Sequence, residues 1–409
     1  MDAIVERAAG LDVHQATVVA CVLVPGARGR AKKEIRTFGT VTEELAALRD
    51  WLAGFGVTHV GMESTGVYWV PVFRMLEGHF DLVVGNATHI RNVPGRKTDV
   101  KDSEWLADLV RHGLIRPSFV PPPPIRELRE LTRYRRKLCQ DQARERNRIQ
   151  KLLETAGIKL ASVASDVFGK SGRAMLAALA QGTTTPHTLA QLAKGSLRQK
   201  IPVLLKALDG RFEAHHRFLL EFELKRLGEL EASLVDLDAH IESKLVPYES
   251  ELKLLVQIPG VDRIIASSIL AELGPDMTIF PSARHAAAWA GVSPGCNQTG
   301  GKNRRSGVRK GNVHLTTVLV QAASSASRTR GTYLRDKYWR LKARRGSMRA
   351  LLAIAHKILV AAYHMLRDSI GYVDLGSDYL RTRSPTSKRV LVRQLEALGY
   401  QVTLTKSPA

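Results

Sequence analysis

Cysteine is scarce in this sequence: three in 409 residues, Cys21, Cys139 and Cys296, far apart and with no CxxC pair. That argues against a disulfide framework or a zinc knuckle and leaves three ordinary buried or surface thiols. Long apolar runs are missing too. No stretch of about 18 uninterrupted apolar residues occurs, so no membrane-spanning helix is expected. The opening "MDAIVERAAGLDVHQ" lacks the basic-then-apolar order of a signal peptide, so a cytoplasmic location is expected. Acid is also in short supply. The 39 Asp and Glu face 61 Lys and Arg, a formal net charge of +22. Such an excess calls for a polyanionic partner, and without a membrane segment nucleic acid is the expected one.

What is present is enough for two or three domains with a sizeable core. Residues 1–120 read as α/β. "TVVACVLV" (17–24) suits a buried strand, "TEELAALRDWLAGFG" (42–56) has helical spacing with Thr42 as a candidate N-cap, and 57–63 and 81–87 are short strands. Strand, helix and strand in this order imply parallel pairing through crossovers. "VPPPP" (120–124) breaks the chain, because four prolines continue neither a helix nor a central strand. Beyond it, 125–156 and 211–246 read as two long helices able to pair as an antiparallel coiled coil, with shorter helices over 165–205. From 254 to 274 the pattern is helix, Pro-Gly turn, helix. A Gly/Lys/Arg-rich loop spans 295–312, and helices fit 313–328 and 347–367. The tail from about 371 carries no nameable chemistry, and no repeat of fixed period is present.

Four acids stand out by context. Asp12 lies in "AGLDVHQAT", Glu63 ends the strand "VTHVGME", and Asp99 and Asp102 open the helical run in "RKTDVKDSEWLADLVRHG". Taken singly, each has an ordinary reading as a turn residue, a surface acid or a helix cap. Their order is more telling. A carboxylate at a strand's C-terminal end faces the crevice where α/β sheets bind ligands, and residues three apart on a helix share a face. Together they would make an oxygen-rich site for Mg²⁺, suited to phosphoryl transfer.

"GLDVHQ", "MESTGVYWVPV" and "RKTDVKDSEWLADLVRHGLIRPSFVPP" resemble the DEDD transposases of bacterial insertion sequences. These are the bridge-RNA-guided recombinases, with the Piv-type DNA invertases among their relatives. The resemblance runs to about residue 370. It implies a RuvC-like domain of RNase H fold over 1–120 whose tetrad falls on Asp12, Glu63, Asp99 and Asp102. It further implies a helical coiled-coil domain over 121–250, a mainly α transposase domain over 251–370 with a nucleophile loop, and a tail over 371–409. Mg²⁺ as cofactor, donor and target DNA, a structured guide RNA and a homo-oligomer, dimer or tetramer, are implied with it.

The second half adds two elements. "IPGVDRIIASSIL" (258–270) reads equally as a helix-hairpin-helix turn holding a DNA phosphate or as a plain helical hairpin. "AGVSPGCNQTGGKNRRSGVRKGN" (290–312) places Lys302, Arg304, Arg305, Arg309 and Lys310 among glycines. Between 302 and 349 there are fourteen Lys and Arg and one acid, Asp336, a bias expected of a nucleic-acid contact. Tyr333, Tyr338 and Trp339 lie within it as stacking or packing residues. The family resemblance puts a nucleophilic serine where this chain has Thr299. Threonine keeps the hydroxyl but restricts χ1. Ser306 is the rival and Ser293 a third candidate. No nearby histidine marks a general base. The expected activity is DNA cutting and rejoining. The rivals are a RuvC-like structure-selective endonuclease without a covalent intermediate and a non-enzymatic nucleic-acid-binding protein.

Overall fold

In a computed structural model, residues 3–26, 31–64, 66–93, 102–295, 298–299, 302–303, 307, 311–377, 379–382 and 385–405 are described. The chain divides into two compact units, Met1–Pro121 and Pro122–Ala409.

The first unit is built on a five-stranded sheet of order β3-β2-β1-β4-β5. The strands are β1 (Ala8–Val13), β2 (Thr17–Pro25), β3 (Ala31–Gly39), β4 (His59–Glu63) and β5 (Asp81–Gly85). β1, β2 and β3 pair antiparallel, whereas β4 lies parallel to both β1 and β5. The parallel half matches the crossover expectation. The antiparallel half was not read from the sequence. β3, "AKKEIRTFG", is an edge strand whose side chains are mostly exposed or half-buried, so it lacks the apolar signal of β2.

Side-chain alternation sorts the two faces. Leu11, Val60, Met62 and Val84 point to one side and pack with Leu45, Leu48 and Leu52 of α1 (Thr42–Gly54) and with Val72, Phe73 and Leu76 of α2 (Trp69–Leu76). Thr42 is the first helical residue rather than the cap. The capping position is Val41, which makes no side-chain cap bond. On the opposite face, after the short α3 (Ala87–Arg91), lies α4 (Asp102–Arg111). Its Ser103, Leu106, Ala107 and Val110 form the buried i, i+3, i+4, i+7 stripe. This helix sits directly on the backbone of the central strands. A Cβ on Gly10 would lie 2.2 Å from the Ser103 carbonyl oxygen and the Ala107 nitrogen, and one on Gly61 would lie 2.2 Å from a Val110 methyl. Only glycine allows that approach.

The second unit is helical. α5 (Pro123–Thr155) starts on prolines at its first two positions, where a missing N–H costs nothing. α6 (Leu160–Val163), α7 (Lys170–Ala180), α8 (Pro186–Gln191) and α9 (Ile201–Ala207) then form a small cluster around Leu160, Met175, Leu176 and Leu204. α10 (Ala214–Leu245) returns along α5. The ion pairs Glu127–Lys244, Arg135–Asp238 and Glu145–Arg226 fix the antiparallel sense. α11 (Glu249–Leu255), α12 (Arg263–Leu273), α13 (Ala283–Ala290), a two-residue hairpin of β6 (Gln298–Thr299) and β7 (Lys302–Asn303), α14 (Val313–Ala326), α15 (Tyr333–Arg345) and α16 (Ser347–Asp368) follow. α17 (Tyr379–Thr382) and α18 (Pro385–Ala397) end the chain. α16 is long and apolar enough by composition to cross a membrane, but Ala350, Ile354, Ile358, Leu359 and Ala362 are fully buried. Within this fold it is a core helix.

Candidate active site

Asp12 belongs to β1, not to a turn before the first strand. The β1–β4 register pairs Gly10 with Gly61 and Leu11 with Met62, so Asp12 and Glu63 come next, side by side at the strand ends. Both project to the α4 face, since they alternate with the residues packed on α1 and α2. The contact of α4 with Gly10 brings the start of that helix over the same ends, and its first residue is Asp102. Asp12, Glu63 and Asp102 therefore line one open cavity of about 320 Å³, with His14, Arg91 and Trp105 among the other walls. His14 Nε2 stands 3.2 Å from Asp12 Oδ2. The sequence reading gave His14 no role, although it sits two residues beyond Asp12 in "GLDVHQ". Asp99 lies outside the described residues, and the described helix begins at Asp102.

The donors are carboxylates with one imidazole and no thiol, the set that suits a hard divalent cation. Their spacing is open. Among the described residues, the one group of three His, Cys, Asp or Glu whose donor atoms all lie within 4.8 Å of one another is Glu213, His215 and His216, at the start of α10. Asp12, Glu63 and Asp102 are the residues that would hold a divalent cation in this cavity. Magnesium keeps several waters and is commonly held by one or two carboxylates.

In the second unit the segment carrying the candidate nucleophiles has a closed base. A Cβ on Gly311 would lie 2.3 Å from the Gly291 nitrogen, and the Asn312 N–H donates to Trp289 O at 3.1 Å. Thr299 and Lys302 pair in the β6–β7 hairpin. Ser306, Arg304, Arg305, Arg309 and Lys310 lie outside the described residues, as does Cys296. Ser293 is half-buried just after α13. Of the other cysteines, Cys21 is fully buried in β2, where burial and Glu104 push its thiol up to about 11. Cys139 is half-buried and free.

The exit of the segment is anchored by a buried acid that the sequence did not flag. Glu272 of α12 is 2% exposed. Arg133 donates to both of its oxygens at 2.7 and 2.8 Å, and the Asn312 amide donates at 2.6 Å. Arg129 stands 3.4 Å away and also donates to the carbonyls of Ala271 and Glu272. Asn312 in turn accepts from the His314 and Leu315 N–H groups and caps α14. Burial pushes the Glu272 carboxyl up, but Arg133, Arg129 and Asn312 outweigh it and hold the group below the usual glutamate range. The Pro-Gly turn before α12 packs as a helical corner. Gly260 lies against the α14 backbone, and the Asp262 carboxylate accepts from the Ile265 N–H at 2.8 Å, taking up a donor that a phosphate would need.

Residues 9–158 match the family model of the DEDD transposases of the IS110 group, and residues 252–339 match one described as transposase of the IS116/IS110/IS902 family. A Pseudomonas aeruginosa protein named "Probable family 20 transposase" is 24% identical over 286 residues, covering 69% of this chain and 75% of its own. A Sinorhizobium fredii protein named "Putative transposase y4pF/y4sB" is 42% identical over 74 residues, 18% of this chain and 19% of its own. The matches make the chain a transposase, an enzyme acting on DNA. More narrowly, it belongs to the IS110 family of DEDD transposases, which serve insertion sequences.

Proposed function

We propose that the first unit is RuvC-like and that Asp12, Glu63, Asp99 and Asp102 form its metal-binding tetrad, with Mg²⁺ as the ion. The sheet order, three antiparallel strands followed by two parallel ones, supports the fold assignment. The observation that carries the site is the convergence of Asp12, Glu63 and Asp102 on one cavity. The reaction is transesterification. A loop hydroxyl, Thr299 by the family resemblance with Ser306 as the rival, attacks a DNA phosphorus. The protein–DNA ester forms as the bond to the departing DNA oxygen breaks. The hydroxyl's proton leaves toward the acids, and the departing oxygen gains one. Mg²⁺, when bound, supplies charge that stabilises the attacking and leaving oxygens. Rejoining is the reverse attack by a new strand end, so no energy source is needed.

The reading extends to a guide RNA, which would leave sequence choice mainly to base pairing. A homo-oligomer would supply one hydroxyl and one set of acids per strand cut. The second unit would divide into a coiled-coil part up to about 250, a transposase part over 251–370 and a tail. The test is recombination in cells together with adduct trapping. Asp12→Ala should abolish recombination and leave nucleic-acid binding near wild type. Thr299→Ala should abolish the covalent adduct while Ser306→Ala keeps it. Unchanged recombination by Asp12→Ala would refute the acidic site. Metal-dependent cutting with no adduct from the unaltered chain would mark a structure-selective nuclease instead.

A further inference from the structure

α15 carries six basic residues in thirteen, and its one acid, Asp336, is paired with Arg340 at 3.0 Å. The three aromatics of this region are not alike. Tyr338 is buried, and Tyr333 packs edge-on against Tyr379 at 5.6 Å. Trp339 is 48% exposed. Tryptophan is a costly residue to leave in water, and an exposed one amid cations is what a stacking platform for bases looks like. Its ring is also held in place. The edge of Tyr338 meets it at 5.4 Å and 78°, and the Lys342 ammonium lies 4.3 Å from its centre. Arg335, Trp339 and Lys342 follow i, i+4, i+7 spacing, so they share one helix face, with the exposed Arg345 beside them. Arg344 lies toward the opposite face.

We infer that this face of α15 binds unpaired DNA, with a base stacked on Trp339 and its flanking phosphates met by Arg335, Lys342 and Arg345. The occupant follows from the charge, which demands a polyanion, and from the open indole, which needs a base free of its own stack. Duplex DNA offers phosphates but no free base face. The inference rests on the chain's action on DNA and not on the acids or the loop hydroxyl.

The test is anisotropy binding of the full chain to a mixed-sequence single-stranded DNA, to its duplex and to the same sequence as RNA. Trp339→Ala should weaken single-stranded DNA about 5- to 150-fold, the range for loss of one stacked base, and duplex DNA less than about twofold. Trp339→Phe should recover most of the affinity. Arg344→Ala should weaken both DNA forms alike and by less. Equal loss on single strand and duplex, no loss on either, or loss confined to RNA would each overturn the inference. The same comparison in an Asp12→Ala background should give the same ratio, so a wrong tetrad and a wrong stacking site fail separately.

Discussion

Glutamine at position 272 keeps the shape of the side chain and removes its charge, which isolates what the buried carboxylate does. In the native fold it accepts from Arg133 through both oxygens and from Asn312, with Arg129 at 3.4 Å. Glu272→Gln turns an amide N–H₂ toward one guanidinium donor and leaves two cations without their counter-charge. Breaking a buried ion pair on one side costs about 3–5 kcal/mol, because the remaining charge stays desolvated. For a unit of this size, that is a fall in Tm of about 6–10 °C. Thermal melts followed by circular dichroism would measure it. The folded carboxyl titrates below its ordinary 4.5, so the folded state gives up this proton at lower pH than the unfolded chain. The stabilisation is therefore complete above pH 4.5 and is lost as pH falls through the folded value. The gap between wild type and Glu272→Gln should hold at neutral pH and narrow below 4.5. A Tm change under about 2 °C at pH 7 would refute the counter-charge argument. Replacing Arg129, Arg133 and Glu272 together by apolar residues should cost less than Glu272→Gln alone, since no charge is then stranded.

Two further substitutions bear on how the sites are held. Gly10→Ala forces a methyl into the α4 backbone at 2.2 Å, so it should cost about 1–3 kcal/mol or more in a melt of the first unit and reduce recombination by displacing Asp102. A wild-type melting temperature would show that α4 does not sit as closely on β1 as described. Asp262→Ala removes the cap of α12 and should cost about 1 kcal/mol in denaturant unfolding, with DNA affinity nearly unchanged. A large loss of affinity would restore the phosphate-holding reading of that turn.

Much of this was legible in the sequence because it is periodic. The apolar run of β2, the leucine spacing of α1 and the two long helices all announce themselves by pattern. α5 and α10 lie within three residues of the expected bounds. β1 was missed because "AAGLDV" is short and spends three positions on small residues, of which Gly10 admits the close approach of α4. β3 was missed because an exposed edge strand needs no alternation. Asp12, Glu63 and Asp102 could be singled out from the sequence, but not the cavity they share: strand register, which sequence spacing does not encode, is what puts Asp12 beside Glu63. Glu272 looked like any acid near the end of a helix. Its burial depends on Arg129, Arg133 and Asn312, partners 40 to 143 positions away. Among three aromatics of similar context, only packing separates Trp339 from Tyr333 and Tyr338.

The touching glycines at 291 and 311 make what lies between them exchangeable. Once two backbones meet at a neck, the chain between them closes as a loop whose ends are fixed. Lengthening the excursion then costs only closure entropy, about 0.6 kcal/mol for each doubling. Selection could therefore swap a hydroxyl, add a cation or extend the hairpin without renegotiating the helices on either side.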